Sequence, residues 1–389
     1  MTATLAVHVL GAVDEITGAD WLTVTRGRGF YSSSRWLRFI EDDPWHDVWY
    51  LAVRDDERLL GVLPVYLPTG PQQAAVDTFY DPGAVFVEPS GAGDPARWRP
   101  ALVAGGRAGY ETELLLRPDL DAGTRREVLA ALVARLRKLA KVWGVDATAF
   151  MYLTPDAARE LAPVLGAQPL LTTASSAVPL AGCTTFDDYL NRLGGHRRRR
   201  VRHEIVDFDR SGLTIREARL SDSVGLLAPL LTEHHGRYGL TDSHEMLAAH
   251  LGKHAEHLDD LARVLLCQDG DRTVGALLAY EWEDGWYARA VGLADGLRGA
   301  YFNLVYYAPI RMAVERGAGR YVVGPSTIGA KVKRGAVLEP RFSLLDGTDR
   351  VVADIGRLSA GWNEQQRKEW DERLRQIGHE AGTETWPVA

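Results

Sequence analysis

The chain has 389 residues, 46% of them hydrophobic and 25% charged, with a formal net charge of -7. That length supports two sizeable cores, and the acidic balance excludes a surface that attracts nucleic acid or anionic membrane as a whole, leaving only local basic patches for that role. Two cysteines, Cys183 and Cys267, are too few for a disulfide framework or a thiolate metal cage.

In chain order, the first half opens with a strand pattern at residues 5–10 and a helix at 13–25. Ser32-Ser33-Ser34 supplies an N-cap for the helix of Trp36, Leu37 and Ile40. A hairpin covers 48–67, and the stretch 69–110, rich in Gly and Pro, reads as loop with short strands. Val128, Leu129, Leu132, Val133, Leu136 and Leu139 mark an amphipathic helix over 123–142, followed by a strand at 146–153. A boundary falls within 165–185. Beyond it come a helix at 186–193, an arginine-dense helix at 195–210, a strand at 213–217 and helices at 221–238 and 242–258. A hairpin over 264–293 follows, where Cys267 reads as core. Then come a helix at 300–315 that Pro309 should kink near its middle, a strand at 320–323 and a charged amphipathic helix at 354–377. The N-terminus carries no basic-then-apolar signal pattern and no run of about 18 apolar residues offers a membrane span. The expectation is a soluble cytoplasmic protein.

One pattern occurs twice. Arg58-Leu59-Leu60-Gly61-Val62-Leu63-Pro64-Val65-Tyr66 and Arg272-Thr273-Val274-Gly275-Ala276-Leu277-Leu278-Ala279-Tyr280 both read R-x-x-G-x-L-x-x-Y. Each follows an apolar run and an acidic turn, the signature of a hairpin. Later, Ala140 to Gly144 and Ala313 to Gly317 both end a helical pattern at glycine and lead into a strand. Two matches in the same order indicate a duplicated unit, with any active site in one half or in the groove between the halves. Strands and helices alternate in each half around a central hairpin, which is mixed α+β.

Three stretches carry candidate chemistry. In the first, residues 298–335, Gly296 and Gly299 flank Arg298 at a helix entry, where backbone N–H groups favour an anion. Asn303 shares a helix face with Tyr306 and Tyr307, and Tyr301 starts the same helix; a tyrosine there could serve as general acid to a leaving group. Lys331 is one of only six lysines in the chain, a point charge suited to a phosphate or a developing oxyanion. The second stretch is His196-Arg197-Arg198-Arg199-Arg200-Val201-Arg202-His203. So many guanidinium groups need anions, either carboxylates such as Asp187, Asp188, Glu204 and Asp207 or the phosphates of a ligand. No DNA-reading motif accompanies it. The third is His250, His254 and His257 at i, i+4 and i+7, which reads as a wet helical face because a third histidine strains one zinc coordination sphere and no H-E-x-x-H is present. No metal site is expected. Walker, dinucleotide and G-x-S-x-G patterns are absent from the sequence.

Tyr306-Tyr307, Gly324 and Lys331-Val332-Lys333-Arg334-Gly335 resemble the paired-tyrosine helix, glycine-ended strand and K-x-x-R-G element of the FemAB-like transferases within the GNAT acyltransferase superfamily. Phe30-Tyr31-Ser32-Ser33-Ser34-Arg35-Trp36-Leu37 resembles the start of that family's first half. The resemblance covers about 15–345 and implies two tandem GNAT-like domains with mixed central sheets flanked by helices. Those are 1–175, read as a degenerate copy, and 176–345, carrying the active site, with 346–389 as a C-terminal helical extension. It implies transfer of an acyl or aminoacyl group from an activated donor to an amine of a small molecule or a cell-wall or natural-product precursor. Lys331, Tyr307 and Tyr301 are the catalytic candidates; Arg298, Gly299, Asn303, Arg334, Gly335, Arg198, Arg199 and Arg202 are the donor-binding candidates. No tightly bound cofactor is expected. The donor stays open between acyl-CoA, slightly favoured here although the Q/R-x-x-G-x-G/A loop is not matched, and aminoacyl-tRNA. A non-catalytic binding module on the same scaffold is the third reading. The acceptor, the general base and the oligomeric state are not specified by the sequence.

Overall fold

The computed structural model describes residues 5–42, 44–56, 58–69, 75–237, 239–240, 242–378 and 382–387. Its strands are β1 (Leu5–Leu10), β2 (His46–Asp55), β3 (Arg58–Pro68), β4 (Ala101–Ala104), β5 (Leu115–Leu116), β6 (Ala147–Leu153), β7 (Leu170–Pro179), β8 (Thr214–Ala218), β9 (Ala262–Asp269), β10 (Arg272–Trp282), β11 (Gly285–Leu293), β12 (Arg320–Val322) and β13 (Val337–Gly347). The chain forms two compact units, Met1–Ala174 with Glu339–Ala389, and Ser175–Leu338. The chain enters the second unit within β7 and leaves it within β13.

In unit 1 the strand order is β1-β2-β3-β4-β6-β13, with β5 also on β3. All pairs are antiparallel except β4 with β6. Unit 2 runs β8-β9-β10-β11-β12-β7 in the same pattern: antiparallel, then one parallel pair, β11 with β12, then antiparallel. The two units are α+β folds of one topology, as the repeated motif implied.

The motif has a local physical cause. Its two copies are β3 and β10, the return strands of the hairpins. In each the register slips just before the glycine: Val53 faces Gly61 while Arg54 faces Leu59, and Cys267 faces Gly275 while Gln268 faces Thr273. Leu60 and Val274 are the extra, bulged residues. A Cβ on Gly61 would stand 2.5 Å from Leu116 Cδ2 and 3.1 Å from Val128, and one on Gly275 would stand 2.5 Å from Leu293 Cδ1 and 3.0 Å from Leu304. Glycine is therefore required where the bulged strand meets a leucine of the next strand and an apolar side chain of the following helix.

Helices cover the sheets as their patterns dictate. Ala122–Trp143 buries Val128, Leu129, Leu132, Val133 and Leu136, starts at Asp121, which accepts from Gly123 and Thr124 N–H, and stops at Gly144 in the left-handed region. Residues 69–110 depart from the loop reading: they hold helix Ala75–Tyr80, a π-turn at Gly83–Val87 and a 3-10 turn at Pro95–Trp98. Phe86, Val87 and Trp98 pack with Met151, Leu358 and Trp362, so tertiary burial sets the backbone there despite the Gly/Pro content. The C-terminal helix Asp349–Gln376 buries Val351, Leu358, Trp362, Trp370 and Leu374. It is tied into unit 1 by Trp362 Nε1 donating to Leu171 O at 2.8 Å and by Asn363, which bonds both Leu171 N–H and Pro169 O. The helix expected over 221–238 is Val224–Arg237; Tyr238 lies outside the described residues. No described helix is long and apolar enough to cross a membrane.

Candidate active site

In unit 2, β11 and β12 pair in parallel at Gly285–Arg320, Trp286–Tyr321 and Tyr287–Val322. β12 then ends, while β11 continues to Leu293 with no further rung to it among the described residues. Val323 N–H turns to Ser176 O on β7. On the other side of β11, Ala294 N–H bonds Val274 O, so by alternation the amides of Val291 and Leu293 face the gap. A splayed parallel pair thus offers backbone donors with no ladder partner, the requirement for polarising a carbonyl.

Lys331 sits at the end of β12. It belongs to the short helix Ile328–Val332, and its Nζ donates to Val323 O and, at 2.9 Å, to Gly324 O. Ser176 Oγ also donates to Gly324 O, at 2.6 Å. The turn that brings Lys331 back is tight: Gly324 has φ 72° and Thr327, a β-branched residue, has φ 55°. Lys331 is 4% exposed, and burial pulls its pKa down to about 7. An ammonium and an amine are then nearly isoenergetic at neutral pH, which is what proton transfer at that pH requires.

A second cluster lies in the helical run that follows β11. That run is α-helical over Arg298–Phe302, a π-turn over Asn303–Tyr307, and α-helical again over Ala308–Glu315. Pro309, where the kink was expected, stands in the first turn of Ala308–Glu315, directly after the π-turn. Tyr307 hydroxyl donates to Glu204 Oε2, and Arg334 Nη2 reaches the same oxygen at 2.8 Å. Arg334 Nε donates to Tyr307 oxygen at 3.0 Å, its Nη1 to Ala330 O at 3.0 Å, and its guanidinium carbon lies 3.4 Å from the Phe302 ring centroid. Burial alone would raise the Glu204 carboxyl, but Tyr307, Arg200 and Arg334 outweigh it and hold it below the usual carboxylate range. Burial raises the Tyr307 phenol well above its ordinary value; Arg334 opposes the rise and Glu204 reinforces it.

These contacts sort the sequence candidates. Lys331 is held at Val323 and Gly324, just past Tyr287–Val322, the last rung between β11 and β12. Tyr307 and Arg334 are buried, 1% and 3% exposed, and their donors are already engaged. In this arrangement they tie helices together through Glu204. Asn303 donates to Gly299 O within the run and to Glu204 O on the helix Gly195–Arg210. Gly335 is needed for φ 82° and for space against Leu193 Cδ2, 2.8 Å from a Cβ placed there. Tyr301 is half-buried, its ring 5.4 Å from Phe302. Arg298 opens the helix, but its side chain lies outside the described residues. On the helix Gly195–Arg210, Arg198 is half-buried and donates to Asn191 at 3.0 Å, Arg199 is exposed, and Arg202 is exposed with Asp187 at 3.6 Å. Arg197 reaches Val332 O at 3.3 Å, which sets this arginine surface beside the exposed Lys333.

The FemAB-like family, described as peptidoglycan biosynthesis/recognition, matches residues 112–382. The chain belongs to the FemAB-like family. It is accordingly an acyl or aminoacyl transferase. Its fold is that of the crystal structure of FemX, with a TM-score of 0.61 at 12% identity over 88% of this chain and 98% of that one. A tandem GNAT protein from the clavulanic acid biosynthesis pathway gives 0.52 at 14% identity over 88% and 98%. A conserved protein of unknown function from Bacteroides thetaiotaomicron gives 0.52 at 12% identity over 85% and 98%. No curated protein matches the chain in sequence.

Two features of this FemAB-like chain escaped the sequence reading. Glu204 was only one of four carboxylates that could answer the arginines; its spacing with Val201 and Phe208 puts it on the inward face, and that was the available signal. His254 is not on a wet face. It is 1% exposed, in line with the buried Leu247, Leu251 and Leu258. Among the described residues no group of three His, Cys, Asp or Glu is placed to hold a metal. Cys183 is buried and burial raises its pKa, so it is a poor nucleophile.

Proposed function

We propose that the chain transfers an aminoacyl group from an RNA-borne donor to the amine of a small molecule or peptidoglycan-type precursor, using unit 2. The observation that carries this is the splay of β11 from β12, with Lys331 at its edge. The amine nitrogen attacks the donor ester carbonyl and the outward amides of Val291 and Leu293 stabilise the oxyanion; its collapse breaks the ester C–O bond and releases the ribose hydroxyl of the RNA, Lys331 at a pKa of about 7 taking the proton from the attacking nitrogen and returning it to the leaving oxygen. The exposed arginines of Gly195–Arg210, with Lys333 beside them, favour a polyanionic donor over a small one.

A second reading keeps acyl-CoA as donor. It is favoured by the helical run starting at Arg298 just after Gly296 (φ 82°), a helix N-terminus that can receive a pyrophosphate. One pair of measurements separates them. Filter binding of unfractionated tRNA should show a steep salt dependence that falls by roughly one unit of slope for each of Arg199→Glu and Arg202→Glu. Thermal unfolding with acetyl-CoA at about 100 times its dissociation constant should add roughly 2.7 kcal/mol if CoA is the donor. Binding of neither, with no amine acylated by either donor, would remove the transfer reading for unit 2.

A further inference from the structure

The free end of β11 carries a charge. Ala294 N–H bonds Val274 O, so the Leu293 carbonyl, like the Leu293 amide, points away from β10 and into the gap. Arg237 Nη2 donates to that carbonyl, and Nη1 of the same guanidinium donates to Asp295. Arg237 is the last residue of the helix Val224–Arg237, which packs on the face of β11. Its side chain therefore reaches from that face to the edge of the gap. The helix is seated one residue before Leu293. A Cβ on Gly292 would stand 2.6 Å from Leu230 C and 2.8 Å from Leu230 O, both of them backbone atoms. Glycine thus lets the helix backbone rest directly on the strand between the two outward amides, those of Val291 and Leu293.

Unit 1 treats the matching place differently. Gly61 faces Leu116 as Gly275 faces Leu293, and Arg117 N–H bonds Leu60 O as Ala294 N–H bonds Val274 O, so Leu116 is the counterpart of Leu293. Just before it the chain takes up the parallel ladder again. Thr112 bridges Leu153, donating its N–H to Tyr152 O at 2.9 Å and accepting from Thr154 N–H at 3.0 Å. Backbone closes the gap of unit 1. In unit 2 no such bridge is present among the described residues, and a guanidinium takes the carbonyl instead. The chemical consequence is specific. A bare strand edge alternates donors with acceptors and pairs with an amide. With Arg237 on the Leu293 oxygen, this corner shows an N–H and a cation, both of them donors. Such a corner suits an oxygen that carries negative charge and disfavours an N–H or an ammonium.

We propose that Arg237 is a positioning residue: by holding the Leu293 carbonyl it fixes the free end of β11 with the Leu293 N–H aimed into the gap, and it makes that corner selective for an oxyanion. Its part in catalysis rests on the transfer reading above; the clamp itself does not. Two measurements on the full chain compare wild type with Arg237→Ala and Arg237→Lys. Hydrogen exchange at the Ala294 N–H, which is bonded to Val274 O, reads the clamp. It should quicken in Arg237→Ala and return towards wild type in Arg237→Lys, while exchange in β2 and β3 of unit 1 stays as it was. Transfer from unfractionated charged tRNA to hydroxylamine, followed as hydroxamate, reads the chemistry. Arg237→Ala should lower kcat roughly 100-fold and leave KM for the charged tRNA unchanged, with lysine restoring part of the rate. Unchanged exchange at Ala294 overturns the proposal, as does an undiminished kcat or a loss that falls on KM. Should Arg237→Ala fail to fold, Asp295→Ala, which removes the second anchor of the guanidinium, takes its place in both assays, with a smaller loss in the same direction expected. A wild type that transfers nothing, with Ala294 exchange still answering to Arg237, sinks the transfer reading and leaves the clamp standing; transfer by a wild type whose Ala294 exchange ignores Arg237 does the reverse.

Discussion

Lys331→Met isolates the most perturbed group at the splay. The unfolded chain holds its lysine proton up to 10.5, whereas the folded one releases it at about 7. Between those values the unfolded state binds more protons, so stability rises with pH and the contribution is lost as pH falls towards 7. With 1.36 kcal/mol per unit, and the native group half titrated at pH 7, the gain from pH 7 to pH 9 is about 2 kcal/mol. Methionine keeps the length and removes the titration, while the loss of the donor to Val323 O costs about 1–3 kcal/mol at every pH; Gly324 O keeps Ser176 Oγ. Denaturant midpoints of both proteins at pH 7, 8 and 9 should therefore diverge, the wild type gaining about 2 kcal/mol on the variant. Every other titratable group is common to both proteins, so the difference reports one group. Parallel curves would show that Lys331 keeps an ordinary pKa, and the proton-exchange role would fall with it.

Other substitutions probe the packing that holds the site. His254 is neutral in the fold, so wild-type stability should fall as pH drops below 6.5, by up to about 1.4 kcal/mol per pH unit; a thermal-midpoint series from pH 7 to 5 should be flatter for His254→Gln. Glu204→Gln leaves Arg334 buried without its anion and should cost about 3 kcal/mol or more, against about 1 kcal/mol for Tyr307→Phe; equal losses in urea unfolding would contradict the lock described for this cluster. Gly335→Ala forces a side chain into φ 82° and against Leu193, and should lower stability by about 1–3 kcal/mol, whereas Gly299→Ala, with nothing within 4 Å of a Cβ, should be close to neutral in the same assay.

The fold was legible wherever one residue type answers a backbone demand. R-x-x-G-x-L-x-x-Y revealed the duplication because a bulge, a leucine of the next strand and an apolar residue of the following helix converge on one glycine in each unit. Gly144 and Gly317, both in the left-handed region, marked helix ends for the same reason. The π-turn at Asn303–Tyr307 was not legible, since it is set by distant partners: Tyr321 hydroxyl on Val305 O at 2.8 Å, and Glu204 and Arg334 around Tyr307. Tyr307 and Arg334 were singled out by resemblance, and the resemblance could not distinguish a side chain that touches substrate from one that fixes the helix presenting it.

That distinction bears on how the two units diverged. Each unit carries an arginine in the segment after its motif, Arg107 in one and Arg289 in the other, so the residue type does not separate them. Access does. In unit 1 the arginine is sealed among Tyr66, Tyr80 and His46 by a loop that needs Gly105 at φ 100° and holds Ala108 at 61° and Tyr110 at 53°. In unit 2 a one-residue bulge leaves its arginine half-open.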